Sequence, residues 1–294
     1  MAKPKIAVQM ILLKEKIAEI GVYKTLKQMT NLGYKSVEVS QLDMTEENVS
    51  ELERAKNELG VEICALTVGC SMKPYGGVKL PFAMEILEDG FDKIISDAKR
   101  LDCQFLRIGM LPFSYMSNAE GCLEYAKEMN MYGKRLKEMY GMKLFFHNHH
   151  AEFEKVTDDG KTIMDILIEN TDPDYVGFEL DVHWVHRAGE NPVEWIKKLK
   201  GRVELVHLKD YKIEVPKEMP KDTRQFYDTY LHKLVRFAEV GEGTLNFKEI
   251  ISACEEADVR YLPIEQDETY GKDPMDCLKT SAHNLNKMGY ADYF

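Results

Sequence analysis

Short runs of apolar, often β-branched residues alternate with longer stretches of helical spacing from one end of the chain to the other. In the first half the pattern predicts strands at 5–10 (KIAVQM), 36–41 (SVEVSQ), 61–69 (VEICALTVG) and 105–111 (FLRIGML). Between them apolar side chains return every three or four positions, as a helix with one buried face requires. Val22, Leu26 and Met29 share one such face, and Val49, Leu52 and Leu59 share another that Lys56 interrupts. Phe91, Ile94, Ala98 and Leu101 mark a third, and Tyr125, Met129, Tyr132, Leu136 and Met139 a fourth. Gly33, Gly60 and Gly141 follow three of these stretches, where a glycine ends a helix at no steric cost. Stripes of this kind are core faces turned towards a sheet rather than binding surfaces.

The second half repeats the rhythm. KLFFHNHH reads as a strand and GKTIMDILIEN as a short helix. VGFELDVHWV (176–185) is a strand, followed by a helix in NPVEWIKKLKG with Pro192 in its first turn and Gly201 past its end. VELVHLKDY (203–211) and YLPIEQDE (261–268) are strands, and Asp273 with Pro274 opens a last helix bearing Leu278, Ala282 and Leu285. That makes eight strands, each followed by a helix, with no linker or composition break between them. A βα repeat implies a parallel sheet, and eight units imply a closed (β/α)8 TIM barrel forming one domain over residues 1–294. The rival, a doubly wound open sheet, is weakened because no G-x-G-x-x-G follows the first strand.

Composition narrows the function. The chain has 294 residues, 44% of them apolar, enough for a large core, and 30% charged. A formal net charge of −11 disfavours nucleic acid, whose binding draws on Lys and Arg. No apolar run approaches the roughly 20 residues that span a bilayer, and MAKPKIAVQM lacks a signal peptide's apolar core. Cys64, Cys70, Cys103, Cys122, Cys254 and Cys277 show no C-x-x-C spacing and fit reduced core thiols. The expectation is a soluble cytoplasmic protein.

In such barrels ligands and catalytic groups sit where strands end. The fifth strand ends in HNHHAEF, offering His147, His149 and Glu152; the sixth offers Asp181 and His183. The seventh offers His207, Lys209 and Asp210, and the eighth Glu265. Six of the eight histidines belong to strands five to seven, so they converge on one side of the mouth. Carboxylates mixed with imidazole suit a divalent ion, Mn²⁺ first, with Mg²⁺ or Co²⁺ as alternatives, rather than a structural zinc held by thiolates.

Each residue also has a plainer role. Asp181 could cap a loop, and His207 between Val206 and Leu208 could be a satisfied core histidine. Glu265 after LPI would be a costly buried charge unless paired or metal-bound. Glu152 could lie in a solvated loop. His147 and His149, separated by Asn148, share a strand face, so one or both line a site. Trp184 is core or a sugar-stacking platform, and Arg107 is an ion-paired barrel residue or an anion clamp. His150 and His186 are assigned to the surface or to support of the site, and KEMPKDTRQ to an exposed loop.

At these residues the sequence resembles the sugar phosphate isomerase/epimerase family, the xylose isomerase-like TIM barrels. The resemblance runs through FFHNHHAEF, ELDVHWVHRAGENPVEWIKKLKGRVELVHLKD, VGEGTLNF and LPIEQDETYGKDPMDCLKTSAHNLNKMG. It implies one divalent metal at the ends of strands five to eight, and Asp181, His207 and Glu265 match its ligands. Ketose 3-epimerases carry a glutamate within strand five where this chain has His147. We therefore assign the fourth ligand to Glu152, with His147 or His149 as alternatives. The epimerases' D-x-x-H on strand six is absent, since His183 follows Asp181 by two residues. The HNHxxEF version is similar to inosose dehydratase-like members and to catalytic subunits of C-glycoside-cleaving enzymes, which work with a small second subunit. The family also implies a homo-oligomer.

These members share one chemistry. A metal chelated by a carbonyl and its neighbouring hydroxyl acidifies the adjacent C–H, a nearby base takes the proton, and the ion stabilises the enediolate. Reprotonation gives epimerisation or isomerisation of a sugar, sugar phosphate or cyclitol, and loss of a β-substituent makes the enzyme a lyase. Glu152, Glu265, His147 and His149 are the expected acid–base groups, and His183, Trp184, Lys209 and Arg107 the expected substrate contacts. The rivals from other classes are a non-catalytic sugar-binding protein and a metal-dependent endonuclease, the latter disfavoured by the acidic charge.

Overall fold

The computed structural model describes residues 3–71 and 84–294. Eight parallel strands close into a barrel in chain order: Lys5–Gln9, Ser36–Val39, Glu62–Gly69, Phe105–Ile108, Lys143–His147, Val176–Asp181, Val203–His207 and Tyr261–Ile264. Closure runs through the eighth strand, which pairs with the first from Lys5↔Tyr261 to Val8↔Ile264. A further two-residue strand, Glu85–Ile86, extends the third strand's edge. The helical stripes pack outside as expected: Val22, Leu26 and Met29 lie in Val22–Thr30, and Tyr125, Met129, Tyr132 and Leu136 in Ala119–Tyr140. Met139, in the last turn of that helix, is exposed. No described helix is long and apolar enough to cross a membrane.

Strand alternation sorts the side chains into an outer and an inner core. Leu144 and Phe146 face the helices, whereas Phe145 joins Ala7, Ala65, Phe105, Leu205 and Tyr261 inside the barrel. This plug is tight, with the Phe105 and Phe145 rings 4.6 Å apart. Gly177 on the neighbouring strand is required there, since a Cβ would lie 2.4 Å from Phe145 Cε1. One step along each strand the inward positions turn polar: Glu38, Arg107, Glu179 and His207 are all buried. The mouth is formed by Gln9 and His147, which follow the plug residues Ala7 and Phe145 directly, and by Asp181, Lys209 and Glu265, two inward steps beyond the plug along their own stretches of chain.

Every strand but the third stops short of the sequence pattern, the fourth at Ile108 rather than Leu111, and in the second half the stops shape the mouth. The sixth strand stops at Asp181, because its carboxylate accepts from the backbone N–H of His183 and Trp184 and starts the helix Val182–Arg187. The fifth stops at His147, and Asn148 Oδ1 accepts from the Asp181 N–H across the gap. The seventh stops at His207; Asp210–Ile213 instead pairs antiparallel with Val235–Ala238 in a hairpin over the mouth. The eighth stops at Ile264, which leaves Glu265–Glu268 irregular. Asp210 anchors the hairpin by accepting from the backbone N–H of Tyr211, Gly241, Gly243, Thr244 and Leu245. The run KEMPKDTRQ is exposed for most of its length, but its last residues begin the helix Thr223–Asp228. At the C-terminus, Tyr293 is buried and Phe294 packs edge-on against Tyr34.

Candidate metal centre

Four consecutive strand ends bring His147, Asp181, His207 and Glu265 together, one donor atom from each lying within 4.8 Å of the others. His147 Nε2 is 3.2 Å from His207 Nδ1, 3.7 Å from Asp181 Oδ2 and 3.8 Å from Glu265 Oε2. His207 Nδ1 is 3.9 Å from Asp181 Oδ2 and in contact with Glu265 Oε2. Four donors about 2.0–2.2 Å from one ion stand roughly 3–3.5 Å apart, so the spacing fits a single divalent cation. Asp181 Oδ2 supports the fit: it is buried with no hydrogen-bond partner, although Oδ1 of the same carboxylate is fully used as a helix cap. Two imidazoles and two carboxylates are a borderline donor set that a transition-metal dication accepts.

The buried layer beneath orients these donors. His207 Nε2 lies 3.1 Å from Glu38 Oε2 and 3.1 Å from Glu179 Oε1. A proton on Nε2 directed at these carboxylates leaves Nδ1 free as a ligand. Arg107 Nε pairs with Glu38 Oε1 at 3.0 Å and with Glu179, and its Nη1 donates to Thr67 Oγ1 at 3.0 Å. Burial lifts the Glu38 carboxyl to about 8, against the pull of Arg107. Burial would lift Glu179 too, but His207 and Arg107 outweigh it and hold that group well below the usual range.

The protonation of the donors follows their neighbours. Burial, reinforced by Arg107, keeps His147 neutral. His207 is pulled down by burial yet held well above its ordinary value by Glu179, Glu38 and Glu265. Burial raises Asp181 to about 7, against Lys209. For Glu265 the effect of burial is overcome by Lys209 and His207, and it stays ionised.

Glu152 is not in this group. It lies in a single 3-10 turn, Ala151–Phe153, where Oε2 accepts from the His149 N–H at 2.7 Å. The chain leaves the strand at His147, so the inward position at the strand end belongs to a histidine and the glutamate folds back beneath the loop. The carboxyl is buried, which raises it to about 7, and Oε1 has no partner.

Beside the donors is a cavity of about 230 Å³, lined among others by Gln9, Gln41, Thr67, Arg107, His149, Lys209, Glu265 and Asp267. His149 presents this wall with Nδ1 unpartnered, its ring held neutral because burial and Lys209 lower its pKa to about 3. His183 is buried in the same way, with no partner on either nitrogen, among the rings of Trp184, Tyr211 and Phe237. Trp184 stacks on His150 at 5.0 Å. Lys209 Nζ lies over Trp184 and donates to Asp267 Oδ1 at 2.9 Å. Sequence reasoning passed over Gln9, Glu38, Glu179 and Asp267. Three of these carried a signal: Glu38 and Glu179 are charges inside apolar strands, and Asp267 stands two positions after Glu265.

A closed parallel barrel with imidazoles and carboxylates converging at its C-terminal mouth defines a (β/α)8 protein whose buried donor cluster could bind a metal ion beside a small polar cavity. The model of the xylose isomerase-like TIM barrel family matches residues 26–288, and the chain belongs to that family. Among curated relatives, an inosose dehydratase of Clostridium tetani is 31% identical over 133 residues, which is 45% of this chain and 42% of the relative. One from Clostridium perfringens is 30% identical over 155 residues, 52% of this chain and 50% of the relative. The chain thus matches about half the length of these relatives or less. A solved sugar phosphate isomerase/epimerase from Parabacteroides distasonis superposes with a TM-score of 0.74 at 20% identity, covering 98% of this chain and 99% of the other. The IOLI protein with a bound zinc atom gives 0.62 at 14% identity, covering 99% of each chain. These structures share the fold.

Proposed function

We propose that this protein is a divalent-metal-dependent enzyme that removes the proton beside the carbonyl of a sugar or cyclitol, acting as an isomerase or epimerase. The observation that carries this reading is the group His147, Asp181, His207 and Glu265 set against a cavity the size of one sugar ring. These four residues would hold the ion, Mn²⁺ first. Such an ion supplies Lewis acidity that lowers the pKa of a C–H beside a carbonyl it chelates. The remaining roles belong to the chain. His149, neutral and unpartnered at Nδ1, accepts a proton from the substrate carbon. Lys209 Nζ faces the cavity as a donor to a substrate oxygen that gains charge. Glu265 orients the site from the eighth strand, and His183, Trp184 and Phe237 close the wall behind Lys209.

A second reading, elimination of water from the same enolised substrate, is favoured by the inosose dehydratase relatives. NMR of keto-cyclitols and ketoses in D₂O with added Mn²⁺ tests both. Deuterium entering beside the carbonyl with the carbon skeleton intact supports the isomerase or epimerase, and loss of water supports the lyase. Saturable binding of sugar without exchange or elimination would make the chain a sugar-binding protein. Self-association, or a small second subunit, rests on the family resemblance and is tested by sedimentation.

A further inference from the structure

The cavity carries two cations among the described residues, Arg107 and Lys209, and the fold commits both to carboxylates. Arg107 is held by Glu38 and Glu179 in the buried layer beneath. Lys209 Nζ is 2.9 Å from Asp267 Oδ1, 3.4 Å from Glu265 Oε1 and 3.7 Å from Asp181 Oδ2. Asp181 and Glu265 also belong to the donor group, so a bound dication draws on their charge. Asp267 is left as the carboxylate that balances Lys209. Its side chain is 27% exposed and lines the cavity, so it stands where an incoming ligand passes. Much of the remaining wall, Gln9, Ser40, Gln41 and Thr67, is neutral and hydrogen-bonding.

We propose that Asp267 sets the charge selectivity of the site: by neutralising Lys209 it admits an uncharged polyhydroxylated ring and rejects the phosphate ester of that ring. A phosphate group would meet Asp267 and Glu265, with both cationic side chains of the cavity among the described residues committed to carboxylates and the ion engaged by the carbonyl and its neighbouring hydroxyl, and a desolvated charge without a partner is costly. Hydroxyls both donate and accept, which suits amide and hydroxyl side chains. The inference rests on the carbohydrate reading above and names the substrate class within it.

The test is calorimetric titration of the Mn²⁺-loaded protein with myo-inositol, D-glucose and the monophosphate of each. An uncharged ligand should bind at least roughly tenfold more tightly than its monophosphate, a difference of about 1.4 kcal/mol. Added salt should narrow the gap, because it screens the repulsion. Asp267→Asn, isosteric and partly exposed, should leave Lys209 unbalanced and shrink or reverse the preference. The proposal is overturned if the monophosphates bind wild type as tightly, if none of the four ligands binds, or if Asp267→Asn keeps the full preference. Should that variant fail to fold, an unchanged gap at high salt in the wild type overturns it equally. Charge preference without solvent deuterium exchange would refute the proposed chemistry and leave this selectivity standing.

Discussion

His147 Nε2 sits 3.2 Å from His207 Nδ1, two imidazoles carried from the fifth and seventh barrel strands to one point. Their rings have centroids 4.7 Å apart, and the carboxylates of Asp181 and Glu265 reach the same point. Burial keeps His147 neutral, so its Nε2 gains from this approach only when a proton or a cation lies between the two rings.

The first prediction follows from that contact. Asp181→Ala and His147→Ala should each lose bound Mn²⁺ on dialysis, whereas Glu152→Gln should keep it, measured by elemental analysis of folded protein. Metal retained by His147→Ala and lost by Glu152→Gln would return the fourth ligand to the turn after the strand.

Glu152 should be visible in the pH dependence of stability instead. Its folded pKa, about 7, is above its ordinary 4.5, so between these values the folded protein binds more protons than the unfolded chain. Its contribution to stability therefore falls as pH rises through that window, by on the order of 3 kcal/mol when complete. Urea unfolding of metal-free protein from pH 5 to pH 7.5 should show Glu152→Gln gaining on the wild type as pH increases. Parallel curves would defeat the assignment.

Arg107 is the counter-charge of a buried acid pair. Arg107→Met leaves Glu38 and Glu179 facing each other, and breaking a buried pair from one side costs about 3–5 kcal/mol. Adding Glu38→Gln should recover part of the loss in the same denaturation experiment. Additive losses would show that the three side chains act independently.

Gly177 tests the barrel plug. Gly177→Ala forces a methyl against Phe145, and overpacking of this kind costs typically about 1–3 kcal/mol. Phe145→Leu in the Gly177→Ala background should be less harmful than in the wild type. An alanine variant as stable as the parent would mean that the plug yields.

Much of this protein is written locally in its chain. Strand alternation in KLFFH and helical stripes such as Val22, Leu26 and Met29 depend on residues a few positions apart, so eight βα units and the barrel follow from periodicity alone. Asp181, His207 and Glu265 were equally legible as polar residues ending apolar strands. What the sequence left open depends on where each strand stops and on partners distant in the chain. The fifth strand ends at His147, where Asn148 turns to accept from Asp181, 33 residues on, and that stop leaves His147 rather than Glu152 beside the other donors. The Arg107 pair with Glu179 spans 72 residues, and Lys209 meets Asp267 across 58. A charge inside an apolar strand announces that it needs a partner, because burying it alone is too costly. Which partner it finds is settled only when closure of the barrel sets the register of all eight strands.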